Sequence, residues 1–423
     1  MARRSGGRGK GSHRNVTPLL EFTANQPFRF SQQNASPATA QEGVSGERYL
    51  TSLNQFSSRV LAANPQVFRI SSADRRIPVL APERWSEAGF RGRRVLFLLP
   101  SQALGGNVAT LLFLEAFASR HRPASLGVFC AGSTADIYLL SEHVEVHTLW
   151  LARRQLKRYD VVIDLGQLEN RRDIEIWPVD MEADLLTTFG LEPSSRFAVQ
   201  ARPFAPQGRP SIGILPLASS PLRTLPVAVS EALCRALAQE GEVTLCLNRS
   251  QHQGVLYARE LADRLPAGVT VVDGFASIGA LLTAIDAFDY VVLADSGPAH
   301  MAKLFGTPGV AAYTSAPGDI LQGRFENLRR FTVDFQGPRC TAPCGLAKLR
   351  QTAAGAVGCM ASLDVDLEDL PTTPKRQDAD LVERLVLREP VPCVAALATQ
   401  RTALVDFVRA DLAERAAAGA VTG

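Results

Sequence analysis

The sequence predicts an α/β protein with two successive parallel-sheet units of Rossmann type. Three observations carry this. Continuous apolar runs such as RRVLFLLP (93–100), SLGVFCA (125–131) and YVVLA (290–294) have the composition of strands buried on both faces. Segments with helical apolar spacing separate them, as βαβ units require. A Pro-rich stretch, ARPFAPQGRP (201–210), interrupts the alternation, which then restarts, so it reads as an interdomain linker.

The elements follow in order. Residues 1–45 are rich in Ser, Gln, Asn, Ala and Gly and are expected to be a disordered tail, basic at its start through Arg3, Arg4, Arg8, Lys10 and Arg14. A tail of this kind can touch nucleic acid or an anionic surface, but its Gly/Ser richness favours a solvating terminus, so a nucleic-acid partner is not expected. Residues 46–92 alternate short apolar pieces with charges and read as an extension packed on the main body. The first α/β unit spans 93–200, with VATLLFLEAFASRH (108–121) as a helix and VEVHTLW (144–150) and RYDVVIDLG (158–166) as further strands. The second spans 211–370. Its strands are SIGILPL (211–217), EVTLCLN (242–248), GVTVVDG (268–274) and YVVLA, and its helices are VAVSEALCRALAQEG (227–241), QGVLYARELADRL (253–265) and SIGALLTAIDAF (277–288). Residues 371–423 are expected to add C-terminal helices over one or both units. No apolar h-region follows the basic start, so no secretory signal is expected, and no run of about 18 apolar residues is present. Seven cysteines in 423 residues make no disulfide scaffold, and the chain reads as cytoplasmic.

The stretch ADSGPAHMAKLFGTPGVAAYTS (294–315) places Asp295, Ser296, Gly297 and His300 in one turn between a buried strand and a helix. Ligands of open parallel sheets sit outside the carboxyl ends of strands. Asp295 or Ser296 can cap the helix, Gly297 lets backbone approach a ligand, and the helix N-terminus attracts an anion that His300 can also bond. A second loop, ASSPLRTLP (218–226), offers Ser219, Ser220 and Arg223 at another strand end. Guanidinium suits bidentate phosphate binding, and two such loops point to a diphosphate held between them.

On these residues the chain resembles glycosyltransferase family 9, the heptosyltransferases of lipopolysaccharide core assembly. The turn at 295–300 is similar to that family's D-[ST]-G-x-x-H segment, and RYDVVIDLGQL (158–168) to its Y-D-x-V-I-D-L segment. ASSPLRTLP resembles its S-x-x-K-x-W-P loop, with Arg223 for Lys and Leu225 for Trp, and LPSQALGGNVATL (99–111) its first acceptor-side loop. The resemblance runs from about Arg93 to about Leu363. It implies the GT-B fold, two Rossmann-like domains facing across a cleft, with the nucleotide-sugar donor in the C-terminal domain and the acceptor in the N-terminal one. Asp295, Ser296, Gly297 and His300 would hold the donor diphosphate and nucleoside, with Ser219, Ser220 and Arg223 on the other side of the phosphates. No metal or other cofactor is required for transfer. The donor sugar is expected to be heptose-like, with an ADP-sugar one candidate, and the acceptor a glycan or protein in lipopolysaccharide or glycoprotein biosynthesis. The location is expected to be cytoplasmic, with inner-membrane surface contact as a further expectation.

The family's base is an Asp after the first loop's Gly. Here the loop reads Leu104-Gly105-Gly106-Asn107, with no carboxylate, and Asn cannot take a proton at neutral pH. Asn107 is therefore expected to face the cleft in the base's place, with Asp319 as the nearest alternative base and Glu115 behind it. Cys340, Cys344, Cys359 and the distant Cys393 could build a four-thiolate site for structural iron or zinc, or be free thiols, while Cys130, Cys234 and Cys246 fall on core positions. Three functions follow: a glycosyltransferase, a catalytically silent GT-B protein that binds nucleotide-sugar or serves in assembly, and a sugar-nucleotide epimerase. The turn at 295–300 disfavours the last.

Overall fold

The computed structural model describes residues 16–32, 35–52, 55–99, 101–166, 168, 179–248, 252–338, 340–345, 351–352, 355–356 and 383–422. Two parallel sheets form its body, as the alternation predicts. In the N-terminal sheet the spatial order is Val161–Asp164, Arg94–Leu99, Ser125–Cys130, Val144–Thr148. In the C-terminal sheet it is Thr270–Val272, Glu242–Cys246, Ser211–Leu215, Tyr290–Ala294, Gly309–Tyr313, Leu328–Thr332. The chain therefore builds each sheet outward on one side and then returns to the other. That reversal makes a crevice between Arg94–Leu99 and Val161–Asp164, and another between Ser211–Leu215 and Tyr290–Ala294. Every residue of Tyr290–Ala294 is buried, which is why this strand reads as an unbroken apolar run.

The expectation of a disordered segment as far as residue 45 is corrected from Val16 onward. Val16–Ala24 is the second strand of an antiparallel sheet with order Phe68–Pro78, Val16–Ala24, Arg48–Ser52, Trp150–Ala152. Leu19 faces Leu96, Leu98 and Phe129 of the N-terminal parallel sheet. Phe22 faces the other way, at ring-centroid distances of 5.3 Å from Phe68 and 5.4 Å from Trp150. The polar composition of residues 1–45, taken as an average, hides this nine-residue strand. Its burial comes from partners such as Arg48–Ser52, Phe68–Pro78 and Trp150, outside any local window. Residues 1–15 lie outside the described residues.

At the C-terminus the expected helices appear as Pro392–Thr399 and Arg401–Thr422. The second is fixed by Asp411, fully buried, which accepts from the Tyr290 hydroxyl at 2.7 Å and pairs with Arg329 and Arg415. The two parallel-sheet units share one apolar core in which Leu99, Val108 and Leu111 join Leu215, Leu293 and Met301. A polar contact bridges them: the Asp136 carboxylate accepts from the Gly279 N–H at 2.7 Å, at the start of helix Ile278–Ala287. Asp136→Ala leaves that end to Ser277 alone and should lower stability by about 0.5–2 kcal/mol in chemical denaturation.

Candidate donor site

Loops 216–226 and 295–296 leave the two strands that flank the C-terminal crevice, so both segments picked out by sequence meet there. Arg223 joins them. Its Nη1 donates to the Asp295 main-chain oxygen at 2.9 Å and lies 3.5 Å from Asp295 Oδ1, and its Nη2 donates to Ser219 Oγ at 3.1 Å. Asp295 is buried, and its Oδ2 has no hydrogen-bond partner among the described residues. Burial raises its carboxyl above the usual range, against the pull of Arg223. A buried carboxylate oxygen without a partner is costly, so this wall holds an acceptor position left open among the described residues.

Several sequence expectations change in detail. Ser296 occupies the N-cap position, but its hydroxyl donates to Ala294 O at 3.3 Å and caps nothing, and the Asp295 carboxylate turns to Arg223 instead. The first N–H groups of helix Gly297–Phe305 thus carry no side-chain cap. Ser220 points inward, its Oγ accepting from Leu222 N and its carbonyl from Thr224 Oγ1, so it shapes the turn while exposed Ser219 remains on the site. Gly297 makes room for protein rather than ligand, since a Cβ there would lie 2.7 Å from Leu104 Cβ. The His300 ring abuts the acceptor side, where a Cβ on Gly105 would come within 2.8 Å of its Cδ2. Desolvation holds the imidazole well below its usual pKa, and the charges of Lys303 and Arg223 add to this, so it is neutral at pH 7.

Lys303 escaped the sequence reading, although it lies three residues after His300 and hence on the same helix face. Its buried ammonium donates to Leu321 O at 2.6 Å, and desolvation lowers its pKa to about 8. Beside it, Arg324 pairs with buried Glu182 of the N-terminal unit at 3.1 Å.

On the acceptor side Asn107 does not face the cleft. It is fully buried. Its Nδ2 donates to Ser101 O at 3.2 Å and Ala103 O at 2.9 Å, and its Oδ1 accepts from the Tyr138 hydroxyl at 2.8 Å. Both amide donors close the 101–103 loop, so the residue is a loop pin, not a vacant base position. Asp319 is displaced as well: its side chain is 83% exposed and paired with Arg330 at 2.8 Å. Glu115 is buried in an ion pair with Arg196 at 2.8 Å. A carboxylate passed over in the sequence does stand at the N-terminal crevice. Asp164 ends the strand Val161–Asp164, accepts from Gly166 N at 2.9 Å and from Thr17 Oγ1, and is raised in pKa by burial.

Cys340 and Cys344 are neighbours, Cys393 is buried at the start of Pro392–Thr399, and Cys359 lies outside the described residues. Among the described residues no three His, Cys, Asp or Glu side chains converge. Cys130, Cys234 and Cys246 are buried core residues.

Asn107→Asp is expected to destabilise the protein by about 1–3 kcal/mol at pH 7, because it sets a carboxylate against two carbonyl oxygens. Equilibrium unfolding measures this directly. An unchanged midpoint would restore the cleft-facing reading.

Residues 157–336 match the model of glycosyltransferase family 9 (heptosyltransferase). No curated protein matches the chain. Among solved structures, the chain is similar to the ADP-heptose lipopolysaccharide heptosyltransferase II of E. coli at 18% identity and a TM-score of 0.44, over 56% of this chain and 90% of that one. The E. coli heptosyltransferase WaaC with ADP aligns at 15% identity and a TM-score of 0.40, over 57% and 91%. The iron-containing dodecameric glycosyltransferase TibC of enterotoxigenic E. coli aligns at 13% and 0.44, over 93% and 94%. The family match takes in both loops of the C-terminal crevice.

Proposed function

We propose that the protein is a heptosyltransferase-like glycosyltransferase whose donor nucleoside diphosphate lies between the 218–223 and 295–300 loops. One observation carries the reading: Arg223 ties together the two loops of the crevice beside the uncapped start of helix Gly297–Phe305. Helices Gly297–Phe305 and Leu104–His121 both start beside this space, and neither has a side-chain cap. Two partial positive charges therefore favour a diphosphate there, and favour it more as negative charge builds on the departing nucleotide. Arg223 and the Ser219 hydroxyl add to that stabilisation. Neutral His300 can donate one hydrogen bond without charge. The donor sugar is heptose-like, with an ADP-sugar the first to try. The acceptor is a glycan or protein of lipopolysaccharide or glycoprotein assembly, met in the cytoplasm or at the inner-membrane surface.

Attack by an acceptor hydroxyl on the anomeric carbon breaks the bond to the diphosphate and releases one proton. We assign that proton to Asp164, at the carboxyl end of the acceptor-side strand: Glu115 and Asp319 are held in ion pairs and Asn107 is no base, whereas the neutral donors Gly166 N and Thr17 Oγ1 leave each Asp164 oxygen a lone pair. Its raised pKa suits a general base. A binding-only reading draws on a different observation, the packing of Gly105 onto His300, which closes the space an acceptor would enter.

Calorimetric titration with ADP should show binding that Arg223→Ala weakens by about 1–3 kcal/mol. Unaltered affinity in that variant would overturn the donor site. Asp164→Asn should bind ADP as the wild type does, yet release nucleotide from an ADP-sugar about 10²–10⁴-fold more slowly. If wild-type protein binds ADP and releases nothing with any acceptor glycan, the binding-only reading stands.

A further inference from the structure

Glu21 sits in the middle of Val16–Ala24 with its side chain only 5% exposed. Three arginines from separate segments converge on it. Arg48 Nη1 lies 3.7 Å and Arg153 Nη1 3.6 Å from Oε1, and Arg75 Nε lies 3.4 Å from Oε2. None of the three guanidiniums makes a hydrogen bond to a described residue, and Oε2 has no hydrogen-bond partner either. The nearby acids are engaged elsewhere, Glu47 with Arg154 at 2.8 Å and Asp74 with Arg76 at 3.3 Å. One carboxylate thus holds three cations around it, and the group carries two uncompensated positive charges. The three arginine side chains are 33% to 59% exposed, so the cluster lies at the surface.

We propose that Arg48, Arg75 and Arg153 bind a phosphate monoester dianion, with Glu21 as the buried post that keeps the three forks together. A dianion cancels the excess charge of two. Its tetrahedral oxygens accept from several planar forks at once, which a single carboxylate has failed to do here. The site is separate from Asp164, the proposed base at the N-terminal crevice. Thr17 meets Asp164 at the carboxyl end of the parallel sheet, and Glu21 lies four residues further along the same strand, about 13 Å away. The shared chemistry is the phosphoryl group, whether it comes from free phosphate, a soluble sugar or glycerol phosphate, or a lipid headgroup.

The test titrates the full chain with inorganic phosphate, with glycerol 3-phosphate, and with neutral-lipid vesicles containing phosphatidic acid, each followed by calorimetry or flotation. Wild-type protein should bind in at least one arm, and the arm that binds tightest identifies the source. In that arm the Arg75→Gln/Arg153→Gln double variant should bind at least about tenfold more weakly. Arg48→Gln, on a different strand, should weaken binding at least about threefold. Arg223→Ala should leave this binding unchanged, which separates it from phosphate held in the donor crevice. No wild-type binding in any arm, or arginine variants that bind like wild type, would overturn the proposal.

Discussion

The contact on which the rest of the molecule depends is the meeting of two helix starts, Leu104–Gly105 against Gly297–His300. Each helix follows a central strand of its own sheet, so each N-terminus stands over a crevice where the chain reverses its build direction. Two helix N-termini repel slightly through their partial charges. They can approach this closely because two of the four positions are glycine, and a Cβ at either would overlap the opposite chain. The apolar core then continues from one sheet to the other without a break. The positive field between the helices is the property the proposed diphosphate site would draw on. The contact that brings the halves together is thus also the one on which that proposal rests.

Asn107 shows how the same motif can be kept for structure. Its two amide protons hold the carbonyls of Ser101 and Ala103, and its oxygen is held by Tyr138. A carboxylate at that place has no protons to offer, so the residue fixes the entrance of the Leu104 helix and, through it, the Gly105–His300 contact. Catalysis, if it uses a base, draws on a different strand end.

Much of this was legible in the sequence. Buried strands are apolar throughout, so the parallel sheets and their order of alternation could be read directly, and the Asp295 turn and the Arg223 loop fell on the two strands beside the crevice. What could not be read depends on partners distant in sequence. Gly297 was expected to approach a ligand and approaches Leu104 instead. Ser219 and Ser220 are adjacent and chemically alike, and only the turn decides that one faces solvent and the other Leu222. Val16–Ala24 lay within a polar stretch, with its pairing strands and its aromatic partner Trp150 far away along the chain. Asp319 looked free because nothing local announces Arg330.

The polar contacts along the line where the two units touch differ from the apolar core behind it. Arg324 with Glu182, and Asp136 with the Gly279 N–H, join the units by single charged contacts. Lys303, whose ammonium is already disfavoured by burial, stands beside the first of these pairs. Such contacts lose little when water replaces a partner, because both ends regain hydration. The core that follows the glycine pair has no such substitute, since separating Leu99 and Met301 exposes apolar surface at about 25 cal/mol per Å². Opening is therefore cheapest at the rim, around Glu182 and Asp136, with the Leu99–Met301 core as the fulcrum. The Arg223–Asp295 contact lies wholly within the C-terminal unit, so such opening would leave it in place.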